Sequence, residues 1–248
     1  MLTGMDHPPP PPPGIAGRCQ DCAIRERAVC AHCDTGELAR LESIKFYRSF
    51  QAGQPILWEG DRLDYVASVV TGTVALTRSM ADGRRQMTGL LLPSDFLGRP
   101  GRAVAACDAT AATDVTLCCF RRRPFEALMA ETPHLSQRLL EMTLDELDAA
   151  REWMLLLGRK TARERIASFI AMIARRGGTA GRVLELPLSR EAMADHLGLT
   201  IETVSRQIGA LRRDGVIELA GTRGVVLCDP ARLARECGDD GLHNAGRP

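Results

Sequence analysis

Between Phe46 and Phe120 the chain alternates short apolar runs with polar breaks: "PILWEG", "YVASVVTGTVALTRS", "QMTGLLL" and "DVTLCCF", cut by "AGQ", "EGD", "TGT", "ADGR" and "PSD". Runs of this length, punctuated by Gly and Asp, predict an antiparallel sandwich or roll. Within "VTGTVALTRSMADGRRQMTGLLL" the pattern predicts a hairpin, with Asp82-Gly83 supplying the positive φ of its turn. Just upstream, "GELARLESIKFYRSFQAGQPI" predicts a short helix that runs into a turn.

At "ETPHLSQRLLEMTLDELDAAREWMLLLG" the period becomes helical, with Pro133 in the first turn and Leu140, Leu144, Leu147, Arg151 and Met154 in a 4-3-4-3 spacing. That spacing defines a coiled-coil seam. Leu139, Leu155 and Leu156 lie off it, so one face can pack on the β domain while the seam meets a second subunit. Thr161 and Glu164 then make a capping box for "TARERIASFIAMIARRGG", which ends at Gly177-Gly178. A short strand, "RVLELPL", precedes two helices capped by Ser189 and Thr200 and joined through Gly198. With the hairpin "VIELAGTRGVVL" they predict a winged helix-turn-helix.

The fold expected is therefore α+β, divided into six segments. A Pro-rich tail (1–18) precedes a cysteine-rich arm (19–36) and a β-roll (37–132). A dimerisation helix (133–158), the winged helix-turn-helix (159–237) and a tail (238–248) follow.

Charge adds a local signal only. The 32 Lys and Arg nearly cancel 31 Asp and Glu, but residues 159–223 hold twelve basic against seven acidic side chains. On the second helix of the pair, Glu202, Ser205 and Arg206 share one face near the N-terminus, with Thr200 and Thr203 beside them. Arg suits the O6 and N7 of G, Glu the N4 amine of C, and Ser adapts to either. A Glu202–Arg206 ion pair within the helix accounts for the same spacing and is compatible with DNA reading. Arg212, Arg213 and Arg223 suit phosphate contacts.

No stretch approaches 18 uninterrupted apolar residues and no secretory signal opens the chain, which predicts a cytoplasmic protein without membrane contact. His7, His32, His134, His196 and His243 are scattered and avoid the predicted strands, which argues against a metal-dependent oxygenase built on the roll. In a reducing compartment the nine cysteines point to metal or redox chemistry rather than disulfides. Cys19, Cys22, Cys30 and Cys33 form C-x2-C-x7-C-x2-C, which fits a zinc knuckle, a cluster site needing an outside ligand, or a redox thiol set.

The segments "WMLLLGRKTARERIASFIAMIARR" and "LPLSREAMADHLGLTIETVSRQIGALRRDGVI" resemble the cAMP receptor protein superfamily, and "ETVSR" is similar to the recognition signature of its FNR branch. The resemblance runs from about Glu37 to Cys228. It implies a homodimeric transcription regulator that partners RNA polymerase and reads palindromic TTGAT-like DNA sites through Glu202, Ser205 and Arg206. It also implies an oxygen-labile 4Fe-4S cluster held by Cys19, Cys22, Cys30 and a fourth cysteine on the last roll strand. "LCCF" offers Cys118 and Cys119, and the family pattern favours Cys118; adjacent strand residues face opposite ways. Cys33 is then surplus.

Members that bind cyclic nucleotide carry a Gly-Glu segment and an Arg-Ser or Arg-Thr pair. Here Arg99 stands in place of the Glu and no such pair follows, so the expectation is no cyclic nucleotide. An Asp common near the seam of FNR-like chains is Ala150 here, while Asp145, Glu146 and Asp148 cluster about the seam. The alternative is a cluster-free or zinc-stapled FixK-like regulator.

Overall fold

A computed structural model describes residues 17–177 and 183–238. The proline run, Gly178, Arg182, His7, His243 and the last ten residues of the sequence lie outside the described residues. The chain divides into two compact units, Met1–Leu147 and Asp148–Pro248.

The first unit opens with a 3-10 turn at Cys19–Asp21 and helix α1 (Thr35–Ile44), whose N-terminus is closed by a capping box between Asp34 and Glu37. Eight strands follow: β1 (Lys45–Phe50), β2 (Pro55–Leu57), β3 (Tyr65–Thr71), β4 (Val74–Ser79), β5 (Arg85–Leu91), β6 (Phe96–Leu97), β7 (Asp108–Ala111) and β8 (Val115–Arg121). They form two antiparallel four-stranded sheets, ordered β1-β8-β3-β6 and β2-β7-β4-β5. Helix α2 (Arg122–Glu131) and the long helix α3 (Pro133–Arg159) come next.

Two sequence expectations are corrected here. Helix α1 passes directly into strand β1 instead of a turn, because "KFYRSF" pairs along β8 from Lys45↔Phe120 to Phe50↔Val115. The run "YVASVVTGTVALTRS" is two strands in different sheets, parted at Gly72. Gly72 has φ +82°, and a Cβ there would lie 2.0 Å from the Asp114 carbonyl oxygen, so the corner admits only glycine.

The first sheet is buried on both faces, which is why β3 and β8 are continuously apolar instead of alternating. One face packs against the arm and helices through Ile24, Val29, Leu41, Tyr47, Phe120 and Phe125. The other closes on the second sheet through Val69, Val74, Leu97, Ala111, Leu117 and Cys119. Leu139 is partly buried against the first of these cores.

The second unit contains the end of α3 and helix α4 (Ala162–Gly177), opened by reciprocal Thr161–Glu164 hydrogen bonds. Strand β9 (Leu184–Glu185), helices α5 (Arg190–Leu197) and α6 (Ile201–Arg213), strands β10 (Ile217–Ala220) and β11 (Gly224–Leu227), and helix α7 (Pro230–Glu236) complete it. The wing sheet has the order β10-β11-β9. Ile166, Phe169, Ile170, Met193, Leu197, Val204, Ile208 and Leu211 form the core. The end of α3 is fastened to α5 in two ways. Trp153 stacks on buried His196 with centroids 4.1 Å apart, and Arg165 donates to the carbonyls of Leu157, Lys160 and Leu197. Leu156 is buried, but Leu155, expected to face the protein, is 51% exposed. One helical step of 100° carries Leu155 away from the face that Leu156 buries.

Candidate cysteine pocket and nucleic-acid interface

The arm has little regular structure, so side chains hold it. Arg25 donates to the carbonyls of Ala31 and Cys33, closing the loop that carries Cys30. Arg138 of α3 reaches the Arg27 carbonyl at 2.8 Å and the Ala28 carbonyl at 3.5 Å, and forms an ion pair with Glu141. The result is a narrow pocket of about 20 Å³. Cys19, Cys22, Cys30 and Cys118 line it, together with Ile24, Ala28, Leu41, Tyr47, Ser68 and Phe120.

Strand alternation separates the two β8 cysteines. Cys118 opposes Tyr47 of β1 and belongs to the arm-side core, whereas Cys119 lies in the core between the sheets. Cys33 is buried outside the pocket lining. Burial pushes the Cys30 thiol up to about 11, with Arg25 opposing and Cys19 and Cys22 adding to the rise. Burial also raises Cys118, reinforced by Cys19, Cys119 and Cys22, and raises Cys19 against the opposing charge of Lys45. Close thiols in an apolar wall thus keep their protons at neutral pH until a cation displaces them. Ser68 is buried, and among the described residues its Oγ has no hydrogen-bond partner. Among the described residues, no three His, Cys, Asp or Glu side chains are set to hold a metal ion.

In the second unit, Ser189 accepts from the Ala192 amide to start α5, and Gly198 ends it at φ 62°. Thr200 accepts from the Thr203 amide to start α6. Val204, Ile208 and Leu211 anchor the inner face of α6, which leaves Glu202, Ser205 and Arg206 exposed together. Arg206 contacts the Thr203 hydroxyl at 3.4 Å, and no Glu202–Arg206 ion pair forms among the described residues. Thr200, Arg212, Arg213 and Arg223 are exposed and Thr203 is half-buried. Two basic residues in the local charge excess are structurally engaged: Arg165 binds three carbonyls, and Arg163 is held by Glu236 at 2.6 Å and Asp214 at 2.7 Å. Sequence reasoning missed helix α7, which supplies Glu236. Its signal was Asp229 as N-cap followed by Pro230.

On α3, Leu140, Leu144 and Leu147 are 59%, 52% and 45% exposed, and Met154 is 67% exposed. Ala150 and Arg151 are also exposed, and Arg151 pairs with Asp148 within the helix. Exposed leucines repeating along one helix form a surface suited to another protein chain.

A β-roll, a helix with an exposed apolar seam and a winged helix-turn-helix define a DNA-binding regulator rather than an enzyme. Residues 164–236 match the Crp-like helix-turn-helix domain and residues 47–132 the cyclic nucleotide-binding domain. The chain is 65% identical over 235 residues to the transcriptional activator protein FnrL of Cereibacter sphaeroides, covering 92% of this chain and 95% of that protein. It is 40% identical over 222 residues to the nitrogen fixation regulation protein FixK of Bradyrhizobium diazoefficiens, covering 87% and 92%. The structure of FixK2 from Bradyrhizobium japonicum superposes with a TM-score of 0.73 at 35% identity, covering 77% of this chain and 96% of that one. The chain belongs to the CRP/FNR family of transcription regulators. Its relatives are regulators, not enzymes. Among the described residues no helix is long and apolar enough to cross a membrane.

Proposed function

We propose that this protein is an oxygen-responsive transcription activator that works in the cytoplasm as a homodimer, with a 4Fe-4S cluster held by Cys19, Cys22, Cys30 and Cys118. The observation that carries the reading is the convergence of these four thiols, from the arm and from β8, on one pocket. The residues present fit such a group. Among the described residues, four sulfur donors line one pocket while no three of them are set to hold a single metal ion, and the Ser68 hydroxyl, without a hydrogen-bond partner there, lines the same wall. A single zinc ion would need its sulfurs within about 4 Å of one another, given Zn–S bonds of about 2.3 Å. When bound, the cluster supplies an oxygen-labile tie between the arm and the sheet.

The chain's own residues carry that tie onward. Arg138 binds the arm's carbonyls from α3, and Leu140, Leu144 and Leu147 lie farther along the same helix. Ala150, Arg151 and Met154 extend the dimer seam in this reading. Asp145, Glu146 and Asp148 would repel their counterparts across the seam and keep dimerisation marginal.

Glu202, Ser205 and Arg206 read base edges of a TTGAT-like half-site, with Thr200 and Thr203 beside them. Arg212, Arg213 and Arg223 contact phosphates and fix the register. Two-fold symmetry spaces the half-sites by about one helical turn of DNA, and the bound dimer presents itself to RNA polymerase. Arg99 in the position of the nucleotide-binding Glu makes cyclic nucleotide an unsuitable effector.

The test is anaerobic purification, metal and sulfide analysis, and DNA titration before and after exposure to air. Iron with labile sulfide, and a fall in DNA affinity and dimer fraction as the cluster absorbance disappears, supports the reading. Stoichiometric zinc without sulfide assigns the FixK-like alternative instead.

A further inference from the structure

Lys45, the first residue of β1, has a side chain only 7% exposed. Taking an ammonium out of water is costly unless opposite charge or strong acceptors meet it. Its Nζ donates to the Gly17 carbonyl and to Cys19 Sγ at 3.4 Å, while the Glu42 carboxylate stays 3.9 Å away. That carboxylate is itself engaged, accepting from the Cys19 amide at 3.0 Å. Strand alternation puts Lys45 on the same side of β1 as the pocket residue Tyr47, opposite Phe120 and Cys118 of β8. A nearly buried cation therefore aims at the sulfur of a pocket thiol, and a carboxylate sits just behind it.

We infer that Lys45 is a positioning residue that sets the redox poise of the centre in the cysteine pocket, through a charge-assisted hydrogen bond to the Cys19 sulfur that Glu42 partly offsets. This rests on the cluster reading of the pocket. Hydrogen bonds to ligating sulfurs and nearby charge are among the terms that set cluster potentials. A cation favours the state with one more electron, and a carboxylate disfavours it. The two residues must therefore act with opposite sign, which a merely structural staple between Lys45 and Gly17 would not do.

The experiment uses the full chain loaded anaerobically, with Lys45→Gln, Lys45→Arg and Glu42→Gln. It reads iron, sulfide and the one-electron midpoint potential, in which one electron is added at an electrode and no atom is gained or lost. Lys45→Gln shifts the potential negative, Lys45→Arg stays near native, and Glu42→Gln shifts it positive. Full iron and sulfide with an unshifted potential in both neutralising variants, or shifts of the same sign, overturns the inference. If Lys45→Gln does not load, Glu42→Gln decides: a positive shift supports the inference, and no shift or a negative one overturns it. A native chain without iron and sulfide sinks the cluster reading and this inference together; a loaded native chain with unresponsive variants sinks this inference alone.

Discussion

The guanidinium of Arg138 on helix α3 donates to the main-chain carbonyl of Arg27 in the cysteine arm at 2.8 Å, joining residues 111 positions apart in sequence. The carbonyl belongs to the loop between Cys22 and Cys30, so displacement of that loop is felt on α3 without passing through the β sheets.

Arg138→Ala should leave iron binding intact while uncoupling it from assembly. The loss of a charged donor with 20% side-chain exposure costs about 1 kcal/mol of stability, measured by urea unfolding. The decisive reading is sedimentation of loaded and cluster-free protein. In the native chain their dimer dissociation constants should differ, and in Arg138→Ala that difference should shrink.

Ser68 offers a second, independent check on the pocket. Among the described residues its buried hydroxyl has no partner, so Ser68→Ala should leave the metal-free chain equally stable or stabilise it by up to about 1 kcal/mol. In the loaded protein the same variant should release iron to a chelator several-fold faster. Slower or unchanged release would mean that the hydroxyl does not face the bound group.

Much of this was legible in sequence, for a physical reason. Caps are local, so Ser189, Thr200 and the Thr161–Glu164 box could be read directly, as could the opposite facing of Cys118 and Cys119. The corner at Gly72 was not legible, because its requirement comes from Asp114, in the turn between β7 and β8 and far along the chain. Arg138, Ser68 and Lys45 escaped notice for the same reason: each acquires its role from a partner or wall far away along the chain. Leu155 misled because a 4-3 pattern marks off-seam positions without saying which of them the fold covers.

Cys119 sets an alkaline limit on the first unit. Burial raises its thiol from 9.0 to about 12, with Arg48 opposing. In the unfolded chain the thiol ionises near 9.0, while the fold keeps it protonated, so stability falls as pH rises from about 9 toward about 12. The slope approaches about 1.4 kcal/mol per pH unit at most. Unfolding at about pH 8 and about pH 10.5 should show the loss in the native chain and less of it in Cys119→Ala.

The proposed DNA face divides into base readers and phosphate contacts, and the two groups predict different losses. Arg206→Ala should weaken binding to the cognate site roughly 10- to 100-fold and relax preference at one base pair. Arg212→Ala and Arg213→Ala should weaken all sequences alike, each reducing the salt slope by about 1. Arg163→Ala should instead lower the melting temperature, since that guanidinium is occupied by Glu236 and Asp214.

The central claim is that four particular thiols hold the cluster, and the most direct measurement is iron and sulfide per chain in single cysteine variants loaded anaerobically. Cys19, Cys22, Cys30 and Cys118 each replaced by Ala should lose both, while Cys33→Ala and Cys119→Ala should retain the native content. Retention in Cys118→Ala together with loss in Cys33→Ala would contradict the account and move the site into the arm alone.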